Sequence, residues 1–194
     1  MRRLAIAFAG AAAGLATLMS GSAFAYQIDP LTRQPIVETF TETRPEATAI
    51  PRSTVSYDGK YRPGTIVVST SERRMYYVLG DGKAIRYGVG VGRPGFEWGG
   101  AQAISQKREW PSWTPPSEML KRRPDLPRHM AGGPENPLGA RAMYLGSSLY
   151  RIHGSNEPDT IGQAVSSGCI RMTNDDVVDL YERAKVGARV IVMR

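Results

Sequence analysis

A lone cysteine, Cys169, sits in the run Ser166-Ser167-Gly168-Cys169-Ile170-Arg171-Met172, sixteen residues after the histidine of Ile152-His153-Gly154-Ser155. A thiol becomes an effective nucleophile when an imidazole or a cation stabilises its thiolate, lowering its pKa from about 8.5. His153 and Arg171 are the candidates for those partners. If Cys169-Ile170-Arg171 is extended, Cys169 and Arg171 share one face and Ile170 turns into the core. Arg171 then suits a bidentate pair with a substrate carboxylate and also favours the thiolate. Gly168 allows close approach of the backbone to a ligand, with the N–H groups of Gly168 and Cys169 directed at a developing oxyanion. Gly154 lets the chain turn after His153, so that a nearby backbone carbonyl orients the imidazole. The competing reading is a tight turn holding an inert cysteine and a core histidine.

Compartment bears on that choice. Residues 1–25 begin with Arg2 and Arg3, continue as an apolar run from Leu4 to Met19, and end in Ala23-Phe24-Ala25. This is the pattern of a secretory signal peptide with an A-x-A cleavage site, and Gly10 and Gly14 make it a poor membrane anchor. The expected mature protein is exported, with no stable membrane insertion after leader cleavage. A single cysteine there cannot form an internal disulfide and risks oxidation, so a reason to keep it is required. The formal charge is +7, and loss of Arg2 and Arg3 would leave +5. Such a basic exported chain meets acidic cell-wall peptides and lipid headgroups, and it carries no basic-aromatic block of a nucleic-acid module. With 194 residues, 41% of them hydrophobic, there is room for one compact domain.

Two other patterns are weaker. His129 and His153 with Cys169 lack the spacing of a metal site, with no C-x-x-C and no H-x-x-x-H, so no metal and no cofactor is implied. Gly90-Val91-Gly92-Arg93-Pro94-Gly95 spells G-x-G-x-x-G, but Pro94 and the glycines that follow do not open a helix, and a strand end and turn is the better reading.

The elements that must position these residues begin after an arm, residues 26–63, in which five prolines are scattered among Thr, Glu and Arg; an extended linker is expected. Short strands follow over Thr65–Ser69, Arg74–Leu79, Lys83–Val91 and Ala101–Arg108, with Gly80-Asp81-Gly82 as a hairpin turn. Trp110–Gly139 holds seven of the fourteen prolines and reads as a long loop with one helical turn near Ser117–Lys121. A strand pair across Arg141–His153, broken near Gly146, leads to the cysteine. Thr173 caps a helix whose Val177, Leu180, Tyr181 and Ala184 face the core, and Ala188–Met193 forms a last strand. The chain is therefore mainly β with one clear helix.

His153-Gly154-Ser155 followed by Ser166-Ser167-Gly168-Cys169-Ile170-Arg171 resembles the YkuD-type L,D-transpeptidase catalytic domain of bacterial cell walls. The likeness extends over residues 64–194 and includes Asn136-Pro137-Leu138-Gly139. It implies a β-sandwich-like fold with an open cleft, Cys169 as acyl-forming nucleophile and His153 as base and acid, with Arg171, Ser167 and Ser155 at the substrate. Ser167 stands where many members have a second histidine. The implied reaction cleaves a peptidoglycan stem tetrapeptide at a diamino acid carbonyl, releases the terminal D-amino acid and passes the acyl group to an amine. That amine belongs to another stem or to an envelope protein, the site is periplasmic or in the cell envelope, and carbapenems are implied as covalent inhibitors. Trp110 and Trp113 are expected in a wall that excludes water. Two alternatives share these residues: an L,D-carboxypeptidase with water as acceptor, and a non-catalytic wall-binding module.

Overall fold

A computed structural model describes residues 50–194. The expected leader and most of the expected arm lie outside the described residues. In chain order the elements are β1 (Ser53–Ser56), β2 (Ile66–Ser69), β3 (Arg74–Gly80), β4 (Lys83–Gly88), β5 (Val91–Gly92), β6 (Gly100–Glu109), α1 (Ser117–Arg122), β7 (Arg141–Leu145), β8 (Arg151–His153), β9 (Ala164–Ser166), β10 (Ile170–Arg171), α2 (Asn174–Arg183) and β11 (Arg189–Met193). The fold is mainly β, as expected. The strands form one large mixed sheet in the order β1-β4-β3-β2-β11-β6-β7-β8-β10, with β5 and β9 paired separately.

Strand β6 joins the two halves. Its first residues pair with β11, its later ones with β7, and the register shifts between Ile104 and Gln106. Ile66, Val68, Met75 and Tyr87 on one half, and Met143, Leu145, Ile152 and Ile170 on the other, enter a common core with Val177 and Leu180 of α2. Helix α2 is placed by its cap: the Thr173 hydroxyl accepts the Asp176 N–H at 3.1 Å, and the apolar positions then recur at helical spacing.

Three expectations are corrected here. The end of the arm is not a linker, because Ser53–Ser56 pairs antiparallel with β4 and Tyr57 packs on Tyr76. The run between Pro51 and Pro63 is free of proline, so its N–H groups can enter a ladder. The strand expected over Lys83–Val91 breaks after Gly88, where β4 leaves the sheet and β5 joins β9. One short strand, β9, was not anticipated, since three residues are too few for a period to show, whereas β10 is the extended Ile170–Arg171 considered above. The hairpin turn is as read: Asp81 and Gly82 both have positive φ, the geometry that matches strand twist.

Candidate active site

The site rests on one pairing. Strand β10 lies parallel to β8 with Ile170 opposite Ile152 and Arg171 opposite His153. In parallel strands paired residues point to the same side, so both isoleucines enter the core and Arg151, His153, Cys169 and Arg171 share the other face. The far side of β10 is fixed by Gly90, whose N–H and C=O exchange hydrogen bonds with Arg171 at 2.9 Å each. This is the structural use of the G-x-G-x-x-G letters. A side chain at Gly90 would press on the Thr160 carbonyl at 2.9 Å.

His153 is buried, and its Nδ1 contacts the Gly154 carbonyl at 2.5 Å. A carbonyl only accepts, so Nδ1 carries the proton and Nε2 is the basic nitrogen. Gly154 is required for close approach: a Cβ there would strike the Asn174 side chain, whose Oδ1 also accepts the Ala140 N–H at 2.8 Å. Asn174 thus ties the first turn of α2 to the strand ends that carry the imidazole.

Cys169 is half-buried, and its Sγ faces the Leu149 carbonyl at 3.8 Å. Burial pushes its thiol above the ordinary value, against the pull of Arg151 and Arg171 toward thiolate. Burial likewise pushes His153 down to about 3, helped by the positive charge of Arg171 and Arg151 and opposed by the Gly154 hydrogen bond. This corrects the simple picture of a thiol acidified by its neighbours. At neutral pH the pair rests as neutral thiol and neutral imidazole, in a field that favours an anion formed on sulfur or on a substrate oxygen.

The loop before the cysteine is locked from two sides. Ser166 Oγ accepts the Gly168 N–H at 3.1 Å and donates to the Cys169 carbonyl at 2.6 Å. Trp98 Nε1–H donates to the Gly168 carbonyl at 2.7 Å, and the Trp98 ring stacks on Tyr150 at 4.5 Å and 1°. Gly168 has φ +105, and Tyr150 fills the space that a Cβ would need. The Gly168 N–H is therefore spent on Ser166, and the expectation that it faces an oxyanion is corrected. Among the described residues no acceptor takes the Cys169 N–H.

A cavity of about 480 Å³ opens over these residues, lined by Cys169, His153, Arg171, Ser167 and Tyr150 and, from the Pro-rich segment, by Trp113. Ser167 receives a hydrogen bond from Arg93 at 3.3 Å, and Arg93 and Arg122 flank the Phe96 ring at 4.2 and 5.3 Å. Arg171 is held by Glu157 at 2.8 Å. Ser155 is buried, its Oγ accepts the Glu157 N–H, and it does not reach the cavity; its expected substrate role is corrected to a turn that positions Glu157. Trp110 is also absent from this lining, since it points outward with 45% exposure. His129 does not line this cavity and sits beside Thr114.

Sequence reasoning missed Arg151, Trp98, Tyr150 and Asn174. Period-two spacing from His153 was available for Arg151. Nothing in Gly95–Gly100 marked Trp98, whose partner is seventy positions away.

This fold, with a cysteine, a histidine and two arginines on paired strand ends, is that of a known class. The family model described as YkuD, L,D-transpeptidase catalytic domain, matches residues 63–192, and the chain belongs to that family. The chain is 39% identical to the probable L,D-transpeptidase ErfK/SrfK of Escherichia coli over 66% of this chain and 43% of that protein. It spans about half the length of the curated relatives it matches. A solved Brucella melitensis protein described as a probable carnitine operon oxidoreductase is 46% identical, with TM-score 0.50 over 74% of this chain and 93% of that one. The structure of L,D-transpeptidase 3 from Mycobacterium tuberculosis with a faropenem-derived adduct shares the fold at 19% identity, with TM-score 0.53 over 67% of this chain and 60% of that one.

Proposed function

We propose that the protein is an exported peptidoglycan L,D-transpeptidase whose nucleophile is Cys169 and whose base is His153. The observation that carries this reading is the β8–β10 register, which sets both residues and Arg171 on one face of the cleft. His153 Nε2 takes the Sγ proton as sulfur attacks the diamino acid carbonyl of a stem tetrapeptide. The new S–C bond turns the carbonyl oxygen into an oxyanion, to which the Cys169 N–H and the arginine field supply stabilisation. Collapse breaks the peptide bond, and the imidazolium returns its proton to the departing D-amino acid. An acceptor amine then attacks the thioester, loses a proton to His153 and leaves with the acyl group.

His153, buried and low in pKa, is neutral at the pH of the cell envelope, as a base must be. Arg171, braced by Glu157, holds a stem carboxylate, and Ser167 with Arg93 lines the next part of the cleft. Trp113 and the Pro-rich segment keep water from the thioester, which favours amine acceptors over hydrolysis. The acceptor is a second stem peptide or an envelope protein, and β-lactams of the carbapenem class acylate the same sulfur.

The test is product analysis with a disaccharide-tetrapeptide. A cross-linked dimer with release of the D-amino acid is expected. Tripeptide alone would assign the protein as an L,D-carboxypeptidase, and unchanged substrate from folded, reduced protein would leave a wall-binding module.

A further inference from the structure

A second concave surface, about 850 Å³, is larger than the catalytic cavity and shares no lining residue with it. Its walls are the segment leading into β2, Tyr77 of β3, the end of α2 and the start of β11. Five cations line it, Lys60, Arg62, Arg183, Lys185 and Arg189, and no Asp or Glu does. All five are exposed. Arg183 is neutralised by Asp179 at 2.9 Å, whereas none of the other four has an ion-pair partner among the described residues. Asp58 and Glu182 are close in sequence but contribute nothing to the lining.

Four unpaired like charges gathered in one concavity repel one another, a cost that mixed-sign surfaces avoid and that bound anions relieve. A single small anion would need only one or two of them. Tyr61 and Tyr77, both half-buried, also line the groove and add aromatic surface beside the charges. Charge with ring faces suits a sugar chain that carries repeated acidic groups. The concave form disfavours a bilayer, which is met by protruding apolar side chains.

We propose that this groove binds an acidic polysaccharide, with Lys60, Arg62, Lys185 and Arg189 on its anionic groups and Tyr61 and Tyr77 against its sugar faces. The groove shares no lining residue with the cavity over Cys169 and does not depend on the reaction proposed above. It would hold the enzyme on an anionic matrix while the catalytic cleft works.

The test measures binding of the full mature chain to polygalacturonate oligomers of about ten sugars between 50 and 200 mM salt. Four contacts predict a slope of log affinity against log salt of about −3. In the Arg62→Ala/Lys185→Ala/Arg189→Ala variant the slope should fall to about −1 and affinity at 50 mM salt at least tenfold. Tyr61→Leu, which removes the ring and keeps an apolar side chain, should weaken binding with the slope unchanged. Acylation of Cys169 should be the same in every variant, so failure of the groove and failure of the catalytic reading are separable. Equal binding by the triple variant would overturn the proposal. So would tighter binding of a single-stranded oligonucleotide of matched charge, or of phosphatidylglycerol vesicles, than of the polysaccharide.

Discussion

The floor and the wall of the catalytic cleft are held by different means. The floor, β8, β10 and the Gly168 loop, is fixed by strand pairing on both sides, by the Ser166 hydroxyl and by the stacked Trp98 and Tyr150. The wall, between Trp110 and Gly139, contributes no strand to the sheet and is held by α1, the Trp113–Met130 bridge, the buried Asn136 and single contacts such as the Asn156 side chain on the Glu135 carbonyl. The Asn136 side chain donates to the Ala131 carbonyl at 2.8 Å and accepts the Leu138 N–H at 2.9 Å. Groups that must meet within tenths of an ångström sit where long-range pairing removes freedom, and groups that admit a substrate sit where few bonds hold the chain. The contrast teaches that damage to the floor should act on turnover and damage to the wall on binding.

The largest break is expected from His153→Ala, which removes the base from the floor. Turnover should drop by about 10²–10⁴-fold with little change in KM, and steady-state kinetics on the tetrapeptide would show it. A drop confined to KM would place His153 outside the chemistry.

Trp98→Phe probes the floor more gently. It keeps a ring to stack on Tyr150 and deletes the hydrogen bond to the Gly168 carbonyl. The expected result is a roughly tenfold fall in kcat at constant KM, on the scale of one lost hydrogen bond to a positioned group. The rate of Cys169 alkylation by iodoacetamide should fall in parallel, a readout that general loosening of the fold would raise instead. In the intact protein that alkylation should rise with pH through a midpoint above the ordinary thiol value, because burial raises the Cys169 pKa.

On the wall, Asn136→Ala leaves the Leu138 N–H and the Ala131 carbonyl without their partners. A loss of about 1–3 kcal/mol is expected, read as a lower Tm. KM should rise several-fold while kcat stays within about twofold, the reverse of the Trp98→Phe pattern and the sharpest statement of the comparison.

The last effect is on stability against pH. The unfolded His153 binds a proton near its ordinary 6.5, and the folded one only near 3. Between those values the unfolded chain carries more protons, so this contribution to stability is complete above about 6.5 and is lost as pH falls toward 3. Denaturant titrations at pH 7 and pH 5 should show the decline, and His153→Ala should flatten it.

Much of this was legible because local signals sufficed. The hairpin at Asp81 and Gly82, the Thr173 cap and the α2 stripe are written in adjacent residues, and Cys169-Ile170-Arg171 announces its alternation. What escaped depends on distance along the chain. Ser155 looks like a substrate hydroxyl beside a histidine until the turn to Glu157 buries it. The Gly168 N–H looks free until Ser166 is seen to claim it. Trp98 carries no pattern of its own, and its meaning comes from a carbonyl seventy positions along the chain. The same holds for the groove of Lys60 and Arg62, whose other cations come from α2 and β11.

The central claim is that Cys169 forms the acyl bond. Its most direct test is the intact mass of the mature protein after exposure to a disaccharide-tetrapeptide and, separately, to a carbapenem, beside the Cys169→Ala variant. The account predicts one covalent addition per chain with each compound, mapped to Cys169 and absent from a variant that keeps the wild-type Tm. An addition retained in Cys169→Ala, or none in folded protein with a reduced thiol, would contradict it.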